Sequence, residues 1–303
     1  MKIVVFGASG FVGQNVVEYL SGLNLDVVAT DIMPTTNSNF NNVKFIATDL
    51  LDEQHVDEMI SGADVVVHLA TSNLRTSLKN PKRNIKINVQ GTMNILESSK
   101  KHNVKKVIYS SASSIYGVPE YLPVDENHPK KPATVYGIGK YTGEHLLRVY
   151  NELYGLNYFV LRFTNVYGPY QHPDTGGLIP VVLSKIIKND EVTVFGDGSQ
   201  TRDFVYVNDL VEAIGKIIER EDLSNEIVNA GSGTNSTILE AVKACGSALG
   251  IEPNIVFKPQ EGGERKEFKA SLIKFEELFG FTPETSLEDG LKKTSEWIKK
   301  IIN

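Results

Sequence analysis

The run Lys2-Ile3-Val4-Val5-Phe6-Gly7-Ala8-Ser9-Gly10-Phe11-Val12-Gly13 decides how the rest of the chain is read. Its first five residues are apolar and β-branched enough to predict a strand, Lys2–Phe6. A helix is predicted over Phe11–Leu23, with Val12, Val16, Val17 and Leu20 on one side. Between them Gly7, Gly10 and Gly13 permit a tight turn and close backbone approach, and the amino end of the following helix attracts a pyrophosphate. Strand, glycine-rich turn and helix in this order predict a dinucleotide site involving Gly7, Gly10, Phe11, Val12 and Gly13.

Outward from this turn, short β-branched runs alternate with longer amphipathic ones. Strands are predicted at Asp26–Asp31, Val43–Ala47, Asp64–Ala70, Val107–Ser110 and Tyr158–Phe163, and a long helix at Asn84–His102 carrying Ile87, Met93, Ile95 and Leu96. Such alternation implies right-handed crossovers and a parallel sheet covered on both faces. The predicted class is α/β, a Rossmann-type doubly wound sheet with its ligand at the carboxyl ends of the strands. Past Tyr167 the texture changes to the turn-forming Gly168-Pro169 and His172-Pro173-Asp174-Thr175-Gly176-Gly177. Helices are expected near 178–188, 208–219, 237–249 and 287–302, and a strand near 192–195. The expected division is a cofactor domain over 1–167 and a smaller α/β substrate lobe over 168–303, with the chain free to cross back. The polar patch Thr35–Asn42 reads as a surface loop.

The 303 residues are 41% hydrophobic and 22% charged, as in an ordinary globular protein, and the net charge of −6 offers no basic surplus for nucleic acid. No apolar run approaches the ~20 residues that span a bilayer, and the start lacks a signal-peptide pattern, so the cytoplasm is the expected compartment. Lone Cys245 is expected to be a small buried helix residue. The six histidines are scattered without metal-ligand spacing, so no metal site is expected.

Tyr136-Gly137-Ile138-Gly139-Lys140 places a phenol and an amine one helical turn apart on one face. The ammonium is expected to lower the phenol's pKa, because a nearby positive charge favours phenolate. Asp31, ending the second strand, is placed to accept hydrogen bonds from ribose hydroxyls and to repel a 2′-phosphate. With no arginine in Ile32-Met33-Pro34 to rescue a phosphate, NAD is favoured over NADP. Asp49, followed by Leu50, is either an adenine ligand or a plain cap.

Across nearly its whole length the chain resembles the extended short-chain dehydrogenase/reductases of the nucleotide-sugar epimerase/dehydratase family. The matching runs are Gly7–Gly13, Asp49-Leu50, His68-Leu69-Ala70, Asn88–Thr92, Ser110–Gly117, Tyr136–Lys140, Leu161–Pro169 and Gly196–Phe204. The resemblance implies that Asp49, Leu50, Leu69, Ala70, Thr71, Ser110, Phe163 and Thr164 line the NAD site. It implies that Asn88 steadies the neighbouring helix and strand, that Tyr136 is the base, and that Lys140 also binds the nicotinamide ribose. Asn165 would contact a sugar diphosphate, and Arg202 and Arg265 would clamp it. A homodimer through helices 84–102 and 141–154 is also implied.

Within the family, the stretch Tyr116–Pro129 is similar to UDP-galactose 4-epimerases. Dehydratases carry an acidic pair just before Val-Tyr-Gly, where this chain has Ser113-Ser114. Without that acid, expelling a hydroxyl has no evident proton donor. The family's catalytic Ser or Thr falls on Ala112, so Ser111 or Ser113 is expected to supply the hydroxyl. The implied activity is NAD-dependent 4-epimerisation of a UDP-hexose through a transient 4-keto sugar. A reductase, dehydrogenase or dehydratase of the same family, and a weakened NAD-binding sensor or scaffold, stay open as alternatives.

Overall fold

A computed structural model describes residues 1–33, 40–259 and 267–302. In chain order the first half runs β1 (Lys2–Phe6), α1 (Phe11–Ser21), β2 (Asp26–Asp31), β3 (Val43–Ala47), α2 (Glu53–Ile60), β4 (Val65–His68), α3 (Leu74–Lys79), α4 (Pro81–Ile85), α5 (Thr92–Lys101), β5 (Lys106–Ala112), α6 (Val135–Tyr154) and β6 (Asn157–Phe163). The second half runs β7 (Asn165–Tyr167), α7 (Leu178–Ile187), β8 (Val192–Phe195), β9 (Thr201–Arg202), β10 (Phe204–Tyr206), α8 (Val207–Glu219), β11 (Glu226–Ala230), β12 (Ser236–Thr237), α9 (Ile238–Leu249), β13 (Ile255–Lys258), α10 (Ile273–Phe279) and α11 (Leu287–Ile302). Two compact units result. One comprises Met1–Gly117, Lys130–Arg162 and Val211–Val228, and the other Val118–Pro129, Phe163–Leu210 and Asn229–Asn303.

The first unit is built on a seven-stranded sheet in the order β3-β2-β1-β4-β5-β6-β11. The β1 strand pairs in parallel with β2 on one side and β4 on the other, with Phe6 opposite both Thr30 and His68. The order reverses between β1 and β4, so Gly7 leaves the sheet at its switch point, where doubly wound folds bind ligands. Both faces are covered, and Ile3, Val4, Val5, Val65, Val66 and Val67 are buried without alternation. Helix α6 begins at Thr134, whose hydroxyl accepts from the Gly137 amide, and stops at Gly155 in the left-handed region (φ 70°). That N-cap is worth about 1 kcal/mol.

The expected helix over 84–102 is interrupted. Residues Lys86–Gly91 form a π-helical turn between α4 and α5. A Cβ on Gly91 would meet the Leu50 side chain at 2.9 Å. The bulge keeps Asn88 buried and directed at the strand-end segment after β4. A 3.6-residue periodicity cannot register such a one-residue insertion. The 35–42 patch lies mostly in 34–39, outside the described residues.

Among the described residues the second unit has three two-stranded sheets, β7–β10 and β8–β13 parallel and β9–β12 antiparallel. Its core joins α7, α9 and α11 through Ile179, Leu183, Val242, Leu291 and Ile298. Cys245 is a fully buried free thiol in that core, and burial pushes its pKa up. Helix α9 starts with a reciprocal capping box between Thr237 and Glu240.

Candidate active site

The glycine turn of the first unit leaves no room for side chains. A Cβ on Gly7 (φ 84°) would lie 2.4 Å from the Ala70 amide nitrogen, and one on Gly13 would lie 2.0 Å from the Gly7 carbonyl oxygen. Gly10 caps α1 without a side-chain bond, and the first turn carries no acidic residue. The amides of Phe11, Val12 and Gly13 therefore meet no acidic side chain from their own helical turn, which fits a pyrophosphate. Asp31 stands beside this turn, its carboxylate accepting from the Ser9 amide at 3.1 Å and the Ile32 amide at 2.7 Å. Burial raises its pKa, and those backbone donors oppose the rise.

The neighbouring strand ends supply the rest. Leu50 and Leu69 are buried, and exposed Asp49 accepts from the Leu51 amide at 3.0 Å. Asn88 uses its whole side-chain amide. Its oxygen accepts from the Ser72 amide (2.8 Å) and the Thr71 hydroxyl (3.1 Å), and its nitrogen donates to the Ser72 carbonyl (3.0 Å).

Helix α6 presents Tyr136 and Lys140 as its spacing implies. Lys140 is 2% exposed. Its Nζ donates to the Ser110 carbonyl at 2.7 Å and sits 4.7 Å from the Tyr109 ring centroid. Burial pushes the Lys140 pKa down to about 7, with Glu144 acting in the opposite direction. Burial pushes the Tyr136 phenol up to about 12, and a hydrogen bond with Thr71 opposes the rise. This corrects the expectation from spacing. In the ligand-free protein the phenol lies above its ordinary range, because burial desolvates it, while the Lys140 Nζ is drawn to the Ser110 carbonyl.

The serines divide. Ser110 is buried, its Oγ donating to the His68 carbonyl at 3.3 Å. Ser111 is 2% exposed and donates to Glu144 Oε1 at 2.5 Å. Ser113 is partly accessible in the 3₁₀ turn Ser113–Tyr116 that follows β5. Sequence reasoning passed over Glu144, since a glutamate on an amphipathic helix normally reads as its solvated face. It also used Arg162 only as part of a matching run. The two form a buried ion pair, Arg162 Nε to Glu144 Oε1 at 3.0 Å and Nη2 to Oε2 at 2.7 Å. An arginine within the apolar run of β6 was the available signal, because a buried guanidinium requires an anion.

In the second unit, Thr164 donates to Asp203 at 3.2 Å, and Asn165 is exposed with its amide on the Asp203 carbonyl at 2.9 Å. Arg202 is partly exposed and donates to the Thr201 carbonyl. Phe163 is buried, and Arg265 lies outside the described residues. Fully buried Asp203 gathers the Ser232 amide and hydroxyl, the Gly233 amide and the Ala270 amide on its two oxygens. Among the described residues no cluster of metal-ligating side chains occurs, and no helix is long and apolar enough to cross a membrane.

A switch-point glycine turn with a Tyr–Lys pair on the α6 face defines a dinucleotide-dependent enzyme of the Rossmann class. The NAD dependent epimerase/dehydratase family matches residues 3–231, and the chain belongs to that family. NAD is its cofactor. A Methanocaldococcus jannaschii protein, provisionally assigned as a UDP-glucose 4-epimerase, is 40% identical over 306 residues, 98% of each chain. The UDP-glucose 4-epimerase of Thermotoga maritima, solved with UDP-glucose, is 33% identical and superposes with a TM-score of 0.93 over all of both chains. That of Thermus thermophilus, solved with NAD, is 30% identical with a TM-score of 0.89 over 99% of each chain.

Proposed function

We propose that the protein is an NAD-dependent nucleotide-sugar 4-epimerase acting on a UDP-hexose. The observation that carries the reading is the Tyr136–Lys140 pair on α6, with Lys140 fixed on the Ser110 carbonyl. When bound, NAD supplies the acceptor, and then the donor, of a hydride at carbon 4 of the sugar. Tyr136 takes the proton of the 4-hydroxyl and returns it after the keto sugar has turned over. Lys140 as an ammonium stabilises the phenolate, and Thr71 supports it by turning its single hydroxyl proton from Asn88 to the phenol oxygen. Ser113, partly accessible in the turn after β5, is assigned to polarise the 4-oxygen. Asn165 and Arg202 of the second unit, with Arg265, are assigned to the sugar diphosphate, which a guanidinium's planar fork suits.

Epimerisation is preferred to dehydration because the turn Ser113–Tyr116 carries no carboxyl group. The buried carboxylate on α6, Glu144, has both oxygens engaged by Arg162 and Ser111. Two further parts of the reading rest on single features. Exposed Ile85, Ile138, Leu153 and Tyr154 on and beside α6 support a homodimer, checked by sedimentation equilibrium. The unpaired Cys245 suits the reducing cytoplasm.

The test is incubation with UDP-glucose, UDP-N-acetylglucosamine and UDP-glucuronate, followed by separation of products. Interconverting 4-epimers at constant NADH absorbance are expected. Net NADH formation, or a 4-keto-6-deoxy product, would replace this reading with the dehydrogenase or the dehydratase.

A further inference from the structure

Glu144 lies one helical turn beyond Lys140 on α6, and both side chains are 2% exposed. A carboxylate there is strongly disfavoured unless charged and polar partners replace its water. Arg162 binds it with two parallel bonds, and Ser111 donates a third. The remaining arm of Arg162 reaches the Tyr116 hydroxyl at 2.8 Å. The carboxylate therefore has one position, fixed from β5 and β6 as well as from its own helix. Lys140 is held differently, by the neutral Ser110 carbonyl and the Tyr109 ring.

Among the described residues, His68 and the phenols of Tyr109, Tyr136 and Tyr158 contribute no second anion beside this pair at neutral pH. His68 on β4 is fully buried and kept neutral, its imidazole pushed well below its ordinary range. Burial pushes up the phenols of Tyr109 on β5, Tyr158 on β6 and Tyr136 on α6 itself. Tyr116, after β5, is a hydrogen-bond partner of Arg162. Glu97 on α5 is held further along α6 by Lys100 and Tyr150.

We propose that Glu144 is a positioning residue of the reaction: from one turn along the same helix face, its fixed carboxylate keeps Lys140 an ammonium where Tyr136 exchanges a proton with the substrate. The inference rests on the reading of Tyr136 and Lys140 as the proton-handling pair. Glu144 acts through Lys140 and touches no reacting atom. Its buried charge opposes the desolvation that would otherwise discharge the amine throughout the neutral range. Ser111, next to the expected serine position, serves the same end by orienting the carboxylate.

The test is a ¹³C NMR titration of ligand-free protein labelled at lysine Cε, with the Lys140 resonance assigned by its loss in Lys140→Arg. In the parent, the Lys140 midpoint is expected at about 7, pushed down by burial. In Glu144→Gln the midpoint is expected to fall, the direction that loss of a neighbouring anion imposes. Glu144→Asp should restore most of the loss. The sign is fixed by charge: removing an anion favours the neutral amine. The alkaline limb of the turnover profile, where the ammonium is lost, should move to lower pH in Glu144→Gln. If Glu144→Gln fails to fold because Arg162 is stranded, Glu144→Gln/Arg162→Met is used, and a smaller downward shift is expected, since Glu144 is the charge that bears on Lys140 and losing the Arg162 cation acts in the opposite sense. An unchanged Lys140 midpoint in the folded variant overturns the proposal. Undiminished turnover by Tyr136→Phe would instead overturn the reading of the pair and leave the titration result standing.

Discussion

The two units handle buried charge in opposite ways. In the first, the groups assigned to chemistry are themselves inside: Lys140, Asn88 and Glu144 are each 2% exposed, and each has its partners within the unit. In the second, the groups assigned to the substrate, Asn165 and Arg202, are accessible. The buried charge there, Asp203, is spent on its own loops. The lesson concerns what each unit can vary. A proton-transfer site needs exact distances and a dry setting, so its residues are locked by packing. A diphosphate needs accessible donors, so those sit on the short strands β7 and β9, beside segments that the Asp203 carboxylate pins.

The largest effect should come from the first unit. Tyr136→Phe removes the proton acceptor and should lower kcat about 10³-fold, within the range for general base removal. NAD content, measured after denaturing the purified protein, should be unchanged. Loss of bound NAD together with activity would mean that the phenol belongs to cofactor binding rather than to chemistry, which breaks the contrast.

Asp203→Asn sharpens the other side. An amide offers only one acceptor where the carboxylate's two oxygens receive donors from residues 164, 232, 233 and 270. About 3 kcal/mol of stability should be lost, as for a buried, hydrogen-bonded charge. Measured by thermal unfolding and steady-state kinetics, Tm should drop and KM for the nucleotide sugar should rise more than kcat falls. A fall confined to kcat would show that the second unit's carboxylate belongs to the chemistry after all.

Thr71→Val should have the smallest effect, about tenfold at neutral pH. The Thr71 bond holds the Tyr136 pKa below what burial alone would impose. Without it the phenol ionises at higher pH. Because turnover needs phenolate, the acid limb of the pH–rate profile should move to higher pH. Movement to lower pH would show that Thr71 stabilises the neutral phenol.

Much of the first unit was legible along the chain. The strand–turn–helix from Lys2 and the Tyr136–Lys140 spacing are local signals, and the backbone obeys them: Gly7 and Gly13 sit where no Cβ fits. The π turn at Lys86–Gly91 was not legible, because it is held by Asn88 reaching residues 71 and 72. Strand β8 was expected near 192–195, but its partner β13 and the pairs β7–β10 and β9–β12 were not foreseen, since such short segments carry little periodicity.

From its order of residues alone this protein had its class, its cofactor turn and its candidate base, because each depends on neighbours within a turn or a strand. Only the tertiary structure decided which way the charges lean. Burial raises Tyr136 and lowers Lys140, Ser111 is drawn away to Glu144, and Arg162 crosses from β6 to meet that carboxylate. Those outcomes are set by desolvation and by partners distant along the chain, and local spacing carries neither.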